Sequence, residues 1–96
     1  MVKNIKLYHS EFGVNDNVDV EVLLDNGDKY TATFFTLTNI HYLFENNKKT
    51  GECHNGLYFW AANMILVKSL SEGIIKEVIY DLLKTGEFFS SFLKID

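Results

Sequence analysis

The chain has no proline, no arginine and a single cysteine in 96 residues. Each absence closes a route. Without a second cysteine there is no internal disulfide, so the fold must be held by its core. Without arginine the chain lacks the side chain best shaped for bidentate contacts to phosphate and guanine. All nine cationic side chains are lysines, and the net charge of −4 has the wrong sign for binding a polyanion. Nucleic acid is therefore not an expected partner. A genomic bias toward Lys, Asn, Ile and Phe accounts equally well for the missing arginine. No apolar run approaches the ~20 residues that span a bilayer. The longest, Leu57 to Val67, is interrupted by Asn63. Met1-Val2-Lys3-Asn4 lacks the apolar stretch of a signal peptide. No membrane contact and a cytoplasmic location are the expectations.

What is present suits one packed core. The chain is 47% apolar, with eight Phe, five Tyr and one Trp. That is too apolar for a disordered chain, and the length fits a single domain over residues 1–96.

Val2 to His9 reads as a first strand with Ile5 and Leu7 on one side, and Gly13 to Asn17 as a loop. In Val18 to Leu24 the residues Val18, Val20, Val22 and Leu24 share one face, and Asp19 and Glu21 the other. Tyr30 to Thr36 repeats the alternation with Tyr30, Ala32 and Phe34. Asn26-Gly27 between them signals a hairpin. A two-residue loop would pair the valines with threonines. A three-residue loop, Asp25-Asn26-Gly27, pairs Val22 with Tyr30, Val20 with Ala32 and Val18 with Phe34, so all six face one core. The pattern predicts a type I turn with Gly27 in the left-handed region as a bulge.

Thr38 to Lys49 reads as a helix, capped by Thr36 or Thr38, with Leu37, Ile40, Leu43 and Phe44 near one face. Asn46 to Gly56 is a polar connection. Leu57 to Val67 has no clean alternation and suits a central strand covered on both faces, with a bulge or bend at Ala61-Ala62-Asn63. Ser69-Leu70-Ser71-Glu72 matches a capping box with Ser69 as N-cap. Ile74, Ile75, Val78, Ile79, Leu82 and Leu83 then form a helical stripe ending near Lys84, with Gly86 as the C-terminal cap. Glu87 to Ile95 fits a final strand, although Phe88 and Phe92 have helical spacing. The expected fold is α+β: a two-layer sandwich, order β-β-β-α-β-α-β, with two helices on one face of a mostly antiparallel sheet.

Chemistry-bearing motifs are sparse. Cys53 and His54 are adjacent, whereas structural metal sites usually space ligands two to four residues apart, so no metal is expected. No spacing joins Cys53 to His9 or His41 as a nucleophilic pair. The glycines form no phosphate loop, and no cofactor is implied. Asp19 and Glu21 would stand about 7 Å apart along a strand. Paired carboxylates of that kind serve glycosidases, but 96 residues can scarcely supply the cleft. A non-enzymatic role is expected.

The charge distribution is more informative. Glu11, Asp16, Asp19, Glu21, Asp25 and Asp28 fall in one segment with no lysine, which carries −6 and leaves the remainder at +2. With the valines inward, Asp19 and Glu21 face outward beside Phe35 and Thr33, and Asp25 and Asp28 flank the turn. Asp16, Asp19, Glu21, Asp25, Asp28 and Phe35 are the candidate partner-binding residues, an acidic surface able to steer a basic partner. Charges that keep an exposed strand from pairing with other chains would give the same pattern.

The run Tyr58-Phe59-Trp60-Ala61-Ala62-Asn63-Met64-Ile65-Leu66-Val67, the helix to Leu83 and Gly86-Glu87-Phe88 resemble small Firmicute proteins encoded beside polymorphic toxins. The resemblance covers Tyr58 to Phe92. It implies an immunity protein that binds and blocks a cognate toxin, and no binding residue carries across from it. Charge complementarity points to a basic, nuclease-like toxin. A second reading is a small regulatory or ligand-binding domain, with an edge strand for homodimerisation or a pocket at Tyr58, Trp60 or Tyr80. A third is a small enzyme with His41 or His9 against a carboxylate.

Overall fold

The computed structural model describes residues 1–8 and 17–95. The elements run β1 (Val2–Tyr8), β2 (Val18–Leu24), β3 (Lys29–Thr36), α1 (Leu37–Thr50), α2 (Glu52–Gly56), β4 (Met64–Val67), α3 (Glu72–Thr85), α4 (Phe88–Ser91) and β5 (Leu93–Ile95). The loop expected at Gly13 to Asn17 lies mostly outside the described residues.

The hairpin forms as the side-chain pattern demands. Val22 pairs with Tyr30, Val20 with Ala32 and Val18 with Phe34. Gly27 has φ 92° and its N–H donates to the Leu24 carbonyl at 3.0 Å, closing the turn. The Asp28 N–H donates to Asn26 Oδ1 at 2.9 Å. Sheet order is β1-β2-β3-β4, antiparallel except for the parallel β3–β4 pair. β5 pairs antiparallel with the start of β3, on the side where β4 pairs with its end. The α+β class and its mostly antiparallel sheet are as expected.

The valine face carries the core. Val18, Val20, Val22, Leu24, Tyr30, Ala32 and Phe34 cluster with Ile75 and Ile79 of α3, Phe88 of α4, and Phe92. Phe88 stacks on Phe92 with centroids 4.4 Å apart and meets Tyr30 edge-on at 5.2 Å. The segment after α3 is thus both helix and strand: one turn places Phe88 and Phe92 on the core, and three residues then extend β3's neighbour. The helical cap also differs from expectation. Ser71, not Ser69, is the N-cap, its Oγ accepting from the Ile74 N–H at 3.2 Å. Leu70 packs against the core, which holds it just outside the helix in the position of a hydrophobic staple.

Two further expectations are corrected. Leu57 to Val67 is not a central strand. Only Met64–Val67 forms a strand, at the sheet edge, and Asn63 breaks the segment with φ 53°. An apolar run reads as a buried strand only if the fold supplies two covering layers, and here Leu57 and Trp60 are 73% and 69% exposed.

The helical layer is built by α3 and α4, not by α1. None of α1's residues joins the core cluster, and its buried residues are Asn39 and Asn47. α1 continues from β3, capped by Thr36, whose Oγ1 accepts from the Asn39 N–H at 3.1 Å. It packs chiefly on α2 and the end of β3. In α2, Cys53, His54 and Asn55 are all left-handed. Gly56 then comes so close to α1 that a Cβ there would stand 2.6 Å from the Phe44 carbonyl oxygen. The α1–α2 unit is an arm. The molecule measures 45 × 23 × 22 Å with a radius of gyration of 14.4 Å, against about 12.5 Å for a sphere-like chain of this length.

Candidate protein-binding surface

Alternation along β2 turns Asp19 and Glu21 away from the valine core, onto a sheet face whose residues, Phe35 excepted, are exposed or half-buried. Pairing across the sheet places them in two rows. One runs Lys6, Glu21, Thr31, Leu93, and the next runs Tyr8, Asp19, Thr33, Met64. Asp19 accepts from Thr33 Oγ1 at 2.7 Å, and Glu21 from the Tyr8 hydroxyl at 3.3 Å. Lys6 Nζ lies 5.2 Å from the centre of the Tyr8 ring. Tyr8 and Leu93 are each about half exposed.

The other acids sit elsewhere. Asp25 and Asp28 flank the turn and each meets a cation: the Met1 ammonium at 2.8 Å and Lys94 Nζ at 3.6 Å. Six residues of strand separate Asp19 from Asp25, about 20 Å. Glu21 is nearer, four residues or about 13 Å from Asp25, still beyond the screening length of about 8 Å at physiological salt. The single acidic patch expected from the sequence is therefore two sites. Asp19 and Glu21 form one, set among polar and apolar groups; Asp25 and Asp28 form the other, largely neutralised. Asp16 lies outside the described residues.

Phe35 is corrected. It does lie on the outward face of β3, but it is 3% exposed, with the Phe59 ring edge-on at 5.5 Å. The chain returning from the arm covers that end of the face, so Phe35 is packing rather than contact surface. Tyr8 and Lys6 escaped the sequence reading, although the parity of Ile5 and Leu7 already places them on the opposite side of β1. Leu93 could not have been found, because its position depends on β5 pairing with β3.

The remaining candidates offer little chemistry. Among the described residues no three His, Cys, Asp or Glu side chains gather as a metal site, and no helix is long and apolar enough to cross a membrane. Cys53 and His54 occupy the left-handed turn of the arm, and His41 is exposed on α1. His9 lies outside the described residues. Tyr58 and Trp60 are exposed on the chain leaving the arm. Tyr80 borders a shallow polar recess of about 210 Å³ against Val2 and Ile5 of β1. An apolar groove of about 380 Å³ lies on the other flank of α3, floored by Ile74, Val78 and Leu82. No protein-family model, curated protein sequence or solved structure matches the chain.

Proposed function

We propose that the protein is a non-enzymatic binding module whose open sheet face engages a protein partner. Its biological form would be an immunity-type inhibitor that blocks a cognate, basic toxin in the cytoplasm. The observation that carries the reading is the pair of rows on the open face. Two outward carboxylates, Asp19 and Glu21, stand among half-exposed Tyr8 and Leu93. Aromatic and aliphatic anchors ringed by polar groups are the usual anatomy of an interface core and rim. Exposed carboxylates add electrostatic steering toward a cationic partner. The resemblance of Tyr58 to Phe92 to toxin-associated immunity proteins points to a toxin as the class of that partner.

The test is co-purification with the product of the adjacent toxin gene, followed by binding measurements at two salt concentrations. The Asp19→Lys, Glu21→Lys double variant should slow association by about tenfold or more and flatten its salt dependence. Absence of any complex at micromolar concentration in low salt sinks the proposal. Binding that is indifferent to salt and to the double variant removes the acidic face from it.

A further inference from the structure

The groove beside α3 points to self-association. α3 covers the sheet asymmetrically. Its Lys76 and Tyr80 flank leans toward β1, while its Ile74, Val78 and Leu82 flank lines the open groove with Lys68, the residue following β4. That groove lies on the β4 side of the core face, where the second helix of a two-helix sandwich would rest. The chain possesses such a helix but holds it out on the arm, away from the core cluster.

We propose that α1 of a second copy docks in this groove, and the reverse contact forms about a two-fold axis. Three observations select this occupant. The groove floor follows an i, i+4, i+8 stripe of α3 and spans about 12 Å, which a 14-residue helix of about 21 Å covers. Two apolar side chains of α1 are left uncovered by its own fold, Leu37 at 71% exposure and Tyr42 at 47%. Charges also match: Glu77 and Asp81 border the groove with Lys68, and Lys49 occupies the last turn of α1 beside Lys48, which Glu45 of the same helix pairs at 2.9 Å. The edge of β1 is a poorer route to a dimer, because a register shift between Val2 and Asn4 and the lysines at 3 and 6 obstruct strand addition there. The mutual exchange makes the contact isologous and closed at two copies. It leaves the open face of Asp19 and Glu21 free, so the proposal stands apart from the partner-binding one.

Light scattering on the eluting full chain tests it. The expected mass is twice the 11.1 kDa of one chain, falling toward that of one chain on dilution. Leu37→Glu places an acid at the exposed first position of α1, where it does not disturb folding, and should weaken the dimer by about tenfold or more. Asp81→Lys should weaken it too, and Lys49→Glu should restore it in that background. A monomeric wild-type chain at several hundred micromolar overturns the proposal and leaves the groove to another occupant. A dimer unmoved by Leu37→Glu and by Asp81→Lys also overturns it, since the copies then meet elsewhere.

Discussion

Phe88 and Phe89 are neighbours of identical chemistry with opposite fates, and exchanging each for alanine gives a sharp test of the α4 turn. Phe88 has no exposed surface, stacks on Phe92 and meets Tyr30 and Phe89 edge-on. Removing a buried phenylalanine costs about 3–5 kcal/mol, the upper part where neighbours cannot collapse into the space. Tyr30 is fixed by the sheet and Phe92 by the start of β5, so about 4 kcal/mol is expected. A domain of this size is stable by roughly 5–14 kcal/mol, so the loss is a third to most of the total. At about 4–8 °C per kcal/mol, Phe88→Ala should lower Tm by roughly 15–30 °C. Phe89 is 48% exposed and keeps only its edge contacts with Tyr30 and Phe88. Its replacement should cost about 1 kcal/mol and less than about 10 °C. Thermal and urea unfolding followed by far-UV circular dichroism measures both. Equal losses, or a larger loss for Phe89→Ala, would refute the placement of the two rings and with it the helical turn that sorts them.

Three further outcomes are expected. Gly27→Val should destabilise by about 1–3 kcal/mol in thermal unfolding; the turn has open space around the new Cβ, so the cost is the left-handed backbone alone. Ser71→Ala should cost about 1 kcal/mol through loss of the cap, whereas Ser69→Ala should stay within about 0.5 kcal/mol; the reverse order in urea midpoints would restore Ser69 as the cap. Glu45 is held below its usual carboxylate value by its hydrogen bond to Lys48 and by that ammonium's charge. A folded value below the unfolded one means that the pair's contribution is present above the ordinary carboxylate range and is lost as pH falls through the lowered value. Lys48→Ala should return the Glu45 titration to its ordinary range by NMR; an unchanged titration would contradict the pair.

The acidic hairpin shows how far alternation alone can carry an argument. The period of two in Val18 to Leu24 and Tyr30 to Phe34 has one register that buries all its apolar members, and that register is the one formed. Asp19 and Glu21 must then face outward, so half of the candidate surface was readable. Its extent was not. Linear proximity suggested one patch from Asp16 to Asp28, but an extended strand carries Asp25 about 20 Å from Asp19, and the cations that neutralise the turn come from Met1 and Lys94, residues remote from it in sequence. Phe35 failed for a related reason. Its face was right, but what covers a face depends on segments distant in sequence.

Local chemistry settled the hairpin, both long helices and the core stripe of α3, because turn residues, caps and hydrophobic period act within a few residues of one another. Tertiary structure alone decided where those pieces went. It sent α1 out along an arm: the buried residues of that helix are Asn39 and Asn47, and its apolar Ile40, Leu43 and Phe44 are only half-buried. It moved Leu57 to Val67 to the sheet edge, and it split the chain after Gly86 into a turn of helix and a strand, because Phe88 and Phe92 gain more by stacking on the core than by alternating along a sheet.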